Sequence, residues 1–262
     1  MISVTSAQLT AWLAAFLFPL ARILALISSS PVLGNKQIPV RIKVGLAMLI
    51  TVIIAPTINV PTNIEPASAQ GLFVLVQQIL VGLAMGFTMR LIFTAVEMAG
   101  DLAGMQMGLG FASFYDPVNA SYTPIIAQFL GILSTLAFLS INGNLYMLSA
   151  LADSFQAFPI STAMPSAEAF KTMAEWGSVI FTHSLQLSMP LIGALMITNL
   201  ALGILTRSAP QLNIFAIGFP ITLTVGFATL ALSLPYLAPL FEHAMNEGID
   251  TMQRIALQMA KH

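Results

Sequence analysis

GLFVLVQQILVGLAMGFTMRLIFTAV, Gly71 to Val96, is apolar almost throughout and carries one formal charge, Arg90. It exceeds the roughly 20 residues that an α-helix needs to cross the hydrocarbon core of a bilayer. Reading outward for similar runs bounded by charge or by Pro, Gly and Asn gives five more: Leu9 to Ile27, Val44 to Val60, Ile125 to Leu151, Trp176 to Leu205 and Leu212 to Phe241. The composition agrees. Of 262 residues 57% are hydrophobic and 7% charged, where a soluble domain carries roughly a quarter charged residues. At about 20 apolar residues per span, that apolar content caps the number of crossings near seven. The mean hydropathy of +0.89 points the same way. The expected fold is all-α: a polytopic membrane protein of about six long helices.

The last two runs are longer than one span needs and contain proline, Pro190 in the fifth and Pro220, Pro235 and Pro239 in the sixth. Proline removes a backbone donor, which a membrane tolerates only where neighbouring helices or a cavity satisfy the freed carbonyl. Both runs are therefore expected to be broken, protein-packed helices. The polar tail from Glu242 to His262 repeats Met245, Ile249, Met252 and Leu257 at helical spacing, predicting a short amphipathic, solvated end helix. The first eight residues hold no Lys or Arg, so the basic region of a cleavable signal is missing and the first run is expected to be retained. Lys and Arg near helix ends resist translocation. With the N-terminus outside, Lys36, Arg41, Lys43 and Arg207 fall inside, and Arg22 and Arg90 lie toward inner helix ends. Trp12 and Trp176 then sit near the outer headgroups. No linker or repeat divides the chain, so one membrane domain over 1–262 is expected.

Several function classes fall away. A net charge of -1 provides no basic footprint for nucleic acid. Zero cysteines remove thiolate nucleophiles, iron-sulfur clusters and Cys-type zinc sites. The three histidines, His183, His243 and His262, are scattered; His183 reads as a helix-packing residue. Neither a phosphate-binding GxxxxGK nor an HExxH is present, and GLGFAS near Gly108 lacks the rest of a dinucleotide fingerprint. No cofactor and no enzymatic activity are expected.

The opening run continues as EMAGDLAGMQMGLGFASFYDP, Glu97 to Pro117. Arg90, Thr94, Glu97, Asp101, Gly104 and Gly108 step by four or three residues, so on a helix they share one face. A charge at the bilayer centre costs about 2.5 to 3.5 kcal/mol on insertion scales, so a face with Arg90, Glu97 and Asp101 is expected to look at protein or water. The plain alternative is that Glu97 and Asp101 lie beyond the inner boundary, solvated. Small residues at Gly82 and Gly86, Gly100 and Gly104, and Gly104 and Gly108 fit the spacing that lets helices approach closely in lipid. Beyond them, Gly108 and Gly110 supply backbone freedom, while Phe111, Phe114 and Tyr115 supply bulk, and Met105 and Met107 adaptable packing. A mobile, bulky, mostly apolar segment of this kind suits a plug.

These residues, with TPIIAQFLGILSTLAFLSINGN (Thr123 to Asn144), PVLGNKQIPVRIKVGLA (Pro31 to Ala47) and RSAPQLNIFAIGFP (Arg207 to Pro220), resemble the FliR family of flagellar export-gate proteins over nearly the whole chain. The resemblance implies a non-enzymatic subunit of a type III export gate, multi-pass in the bacterial inner (cytoplasmic) membrane within the flagellar basal body, through which unfolded flagellar substrates pass. FliP, FliQ and FlhB are the implied partners, besides membrane lipid. It further implies a FliP-like N-terminal part, residues 1–175, with Met105, Met107, Gly108, Gly110, Phe111, Phe114, Tyr115, Asp116 and Pro117 in the plug. A FliQ-like hairpin, residues 176–241, would follow, turning at Arg207, Pro210, Gln211 and Asn213 toward FlhB and FliQ, and residues 242–262 would form the polar tail. From the residues alone, a small secondary transporter with a midplane site at Arg90, Glu97 and Asp101 between broken helices remains open, as does a scaffold with no pore-lining face.

Overall fold

A computed structural model describes residues 5–58, 60–61, 64–111, 124–211 and 214–260, and every regular element among them is helical. Thr5 starts α1 (Ser6–Ser29) with a capping box: its hydroxyl accepts from the Gln8 N–H while the Gln8 side chain accepts from the Thr5 N–H. α2 (Val40–Ile54) begins after Pro39 and runs into a 3-10 turn, Ala55–Thr57. α3 (Ala69–Gln106) is capped by the Ser68 hydroxyl, which accepts from the Gly71 N–H. α4 (Ile125–Ser140) and α5 (Gly143–Ala157) follow, then α6 (Ala167–Trp176), capped by Ser166, then α7 (Val179–Ser208) and α8 (Ile214–Met259).

Five helical stretches among the described residues are long and apolar enough to cross a membrane, and α4 with α5 would make a sixth if counted as one. At 1.5 Å per residue α3 traces about 57 Å and α8 about 69 Å, well beyond a hydrocarbon core about 30 Å thick. Each is longer than an upright crossing needs.

Four sequence expectations change. The fourth run is not one helix. It divides at Asn142, whose φ of 57° and ψ of 31° lie in the left-handed region that asparagine tolerates better than most residues. The fifth and sixth runs, expected to break at proline, remain continuous: α7 passes through Pro190 and α8 through Pro220, Pro235 and Pro239. Each proline removes one bond to the carbonyl four residues back while the helix on either side continues. The tail is not a separate solvated helix; it is the end of α8, with Met245, Ile249 and Met252 buried and only Leu257 of the four exposed. Trp176 is buried rather than interfacial, its indole N–H donating to the Thr88 carbonyl at 3.1 Å.

The chain packs as two units, each drawn from both halves of the sequence. One comprises Met1–Leu91, Asn142–Gly177 and Met245–His262, the other Ile92–Ile141 and Ser178–Ala244. In the first, α1 crosses α3 at Gly82 and Gly86. A Cβ on Gly82 would overlap the Arg22 carbonyl oxygen and stand 2.8 Å from Ala25 Cβ; one on Gly86 would overlap Ser29 Oγ. Here the small-residue spacing in the sequence is a helix contact. In the second unit Phe93 meets Phe138 and Phe241 edge-on, with ring centroids 5.5 and 6.0 Å apart. Gly100 lies directly against the backbone of Ala127 in α4.

Candidate gate segment and charged helices

The C-terminal end of α3 is where the sequence places the plug. Met107 is fully buried, and its N–H still completes a helical bond to the Ala103 carbonyl at 2.9 Å. The next residue, Gly108, has a φ of 83°, the left-handed turn with which glycine ends a helix. A 3-10 turn, Leu109–Phe111, follows. Phe114, Tyr115, Asp116 and Pro117 lie outside the described residues. The two methionines of the segment behave differently: Met107 is enclosed, whereas Met105 is 54% exposed.

What encloses Met107 is α8. The Thr222 hydroxyl lies 3.2 Å from the Met107 carbonyl and 3.0 Å from the Phe219 carbonyl of its own helix, so its single proton is shared between them. The Met107 side chain rests on Gly226, where a Cβ would stand 2.5 Å from Met107 Cγ and 2.9 Å from its sulfur. Elsewhere in this unit, Val96 and Leu130, Leu187 of α7, and Leu234, Leu237 and Phe241 of α8 line a mostly apolar cleft of about 300 Å³. In the α7–α8 turn Arg207 and Gln211 are exposed, Pro210 is half-buried, and Asn213 lies outside the described residues.

The chain's own packing does not bury the charged face as a set. Arg90 and Glu97 are exposed and Asp101 is half-buried. Glu97 runs along α4, its Oε1 3.6 Å from the space a Cβ on Gly131 would fill.

Among the described residues, the charge that the fold encloses is Arg22, which sequence reasoning placed toward an inner helix end. It is fully buried, and its guanidinium donates to Gln78 Oε1 at 2.8 Å, to the Ser154 carbonyl and hydroxyl at 2.9 and 3.1 Å, and to the Phe158 carbonyl at 2.9 Å. It also stacks 4.2 Å over the Phe155 ring. Gln78 donates in turn to Gln77 Oε1, and Gln77 to the Ala163 carbonyl. The available signal was the Gln77–Gln78 pair inside an apolar run, two polar residues that need buried partners.

Long apolar helices, tight glycine crossings and internally satisfied polar groups define a multi-pass helical membrane protein. Residues 13–248 match the family described as bacterial export proteins, family 1. The chain is 47% identical over 260 residues to the flagellar biosynthetic protein FliR of Escherichia coli K12, covering 99% of each. It is 45% identical over 261 residues to that of Pectobacterium carotovorum, again 99% of each. With that of Bacillus subtilis it shares 30% identity over 244 residues, 92% of this chain and 94% of the relative. The chain belongs to bacterial export proteins, family 1, and within it to the FliR type, so it is a component of the flagellar export apparatus.

Proposed function

We propose that the chain is a non-enzymatic subunit of the flagellar type III export gate in the bacterial inner membrane, within the basal body, assembling with FliP and FliQ and meeting FlhB at its Arg207 turn. It helps to form the channel for unfolded flagellar proteins, and the segment from Met105 to Pro117 narrows that channel when no substrate is in transit. The observation that carries the reading is the junction at Met107 and Gly108, where a packed residue is followed at once by a left-handed glycine. A seal needs such a fixed root and a free continuation. The exposed apolar side chains of α2 and α7, among them Ile53 at 73% and Ile197 at 70%, suit burial by lipid and sister subunits. A carrier built on Pro-broken helices fits less well, because α7 and α8 run through their prolines.

The test is ion conductance across membranes that hold the assembled complex. Deleting Gly108 to Tyr115 is expected to make the complex leak at unchanged abundance. A complex that stays tight after the deletion would overturn the plug.

A further inference from the structure

The geometry points to Thr222 and Gly226 of α8 as positioning residues for the gate segment: they form a seat that fixes Met107 and so sets where the chain turns away at Gly108. This inference rests on the plug reading and extends it to residues more than a hundred positions away in sequence.

Two contacts make the seat, and they act on different parts of the same residue. The Thr222 hydroxyl reaches the Met107 carbonyl, the acceptor that α3 leaves open at its end once Gly108 turns the chain away. Gly226 receives the Met107 side chain, with room for the thioether only because no Cβ is present. Thr222 and Gly226 are one helical turn apart, so they present one face of α8 to one residue. Both are buried, as is Met107. The result is asymmetric. The chain up to Met107 is held by helix bonds, a hydroxyl and side-chain packing, while the chain from Gly108 onward leaves through a residue with unusual backbone freedom. Methionine suits this place, since its unbranched, polarisable side chain fills a narrow groove and can be withdrawn without large strain.

The inference has a complementary-size test. In the full assembled complex, Gly226→Val should push Met107 out of its groove and raise ion leak, and Met107→Ala, which empties the groove, should raise it too. The double substitution, in which the added valine occupies the space the methionine vacates, should leak less than either single one at equal abundance. A general loss of packing would give additive damage instead, and that result would overturn the seat. So would a Gly226→Val complex as tight as the unaltered one when the Gly108 to Tyr115 deletion leaks. If the deletion itself does not leak, the plug reading falls, and the seat with it. Should Gly226→Val fail to accumulate, Thr222→Val, nearly isosteric and lacking only the hydroxyl, decides: increased leak supports the seat and an unchanged seal overturns it.

Discussion

Arg22 and the Arg90, Glu97, Asp101 face are two answers to the same problem, ionised groups on apolar helices. Arg22 has no exposed surface and only neutral acceptors: a side-chain amide, a hydroxyl and two carbonyls. Those carbonyls belong to the last turn and C-cap of α5, where the Ser154 carbonyl also accepts the Phe158 N–H, the Phe158 carbonyl lies beyond the helix's own donors, and the helix dipole favours a cation. One guanidinium therefore caps a helix and joins α1, α3 and α5. Arg90 and Glu97, by contrast, stay exposed on the chain. The difference teaches that charge in these helices has two uses. A buried charge ties helices of the subunit together, while an exposed one also faces whatever surrounds the chain.

Removing the internal charge should have the largest effect. Arg22→Met keeps much of the bulk but leaves Gln78 Oε1 and the Phe158 carbonyl without their donor in a dry interior, while the Ser154 carbonyl keeps the Phe158 N–H. Each orphaned buried acceptor costs about 1–3 kcal/mol, so a loss of about 2–6 kcal/mol is expected, read as a fall in thermal stability in detergent or in accumulation in membranes. Arg22→Lys should recover only part of it, since an ammonium lacks the planar fork that reaches several acceptors at once. Unchanged stability of Arg22→Met would erase the contrast between the two regions.

The glycine crossing beside Arg22 comes next. Gly82→Val or Gly86→Val would drive a side chain into the α1 backbone or Ser29, an overpacking worth about 1–3 kcal/mol. Gly104→Ala is the matched control. Its added Cβ would find its nearest neighbour, Ile126 Cγ1, at 3.7 Å, an ordinary contact, and stability should barely move. If Gly104→Ala proved as damaging as Gly82→Val, small-residue spacing rather than actual proximity would be the determinant.

These cases also mark what could be read from the sequence. Helical class and the approximate spans followed from apolar run length, because an unpaired backbone in lipid allows few other solutions. The Gly82 and Gly86 contact was legible from spacing, yet the same spacing at Gly104 gave no tight approach, since spacing does not say which helix lies opposite. The break at Asn142 had a local signal, the Asn142, Gly143 and Asn144 cluster, that the apolar run on either side obscured, and prolines misled because a helix can continue through a proline despite the missing donor. The burial of Arg22 was hidden because its acceptors lie more than fifty and more than a hundred residues away, beyond any local pattern. The root of the gate segment shows the same limit, with Gly108 visible in the motif and its seat on α8 visible only in the fold.

The smallest effect on folding is expected at the exposed face. Glu97→Gln with Asp101→Asn keeps shape and hydrogen-bonding capacity while removing two charges that the chain itself does not enclose, so the stability of the purified chain should change by no more than about 0.5 kcal/mol. Assembly should respond differently. If neighbouring subunits shield this face, the double substitution should lower the fraction of chain recovered in the full complex while leaving the free chain intact, the reverse of Arg22→Met, which should harm both. Equal recovery in the complex would mean that water covers Glu97 and Asp101 there. Motility of cells carrying the double substitution, followed across external pH, separates a further role: an unaltered profile excludes proton coupling through these two carboxylates and leaves them as contact residues alone.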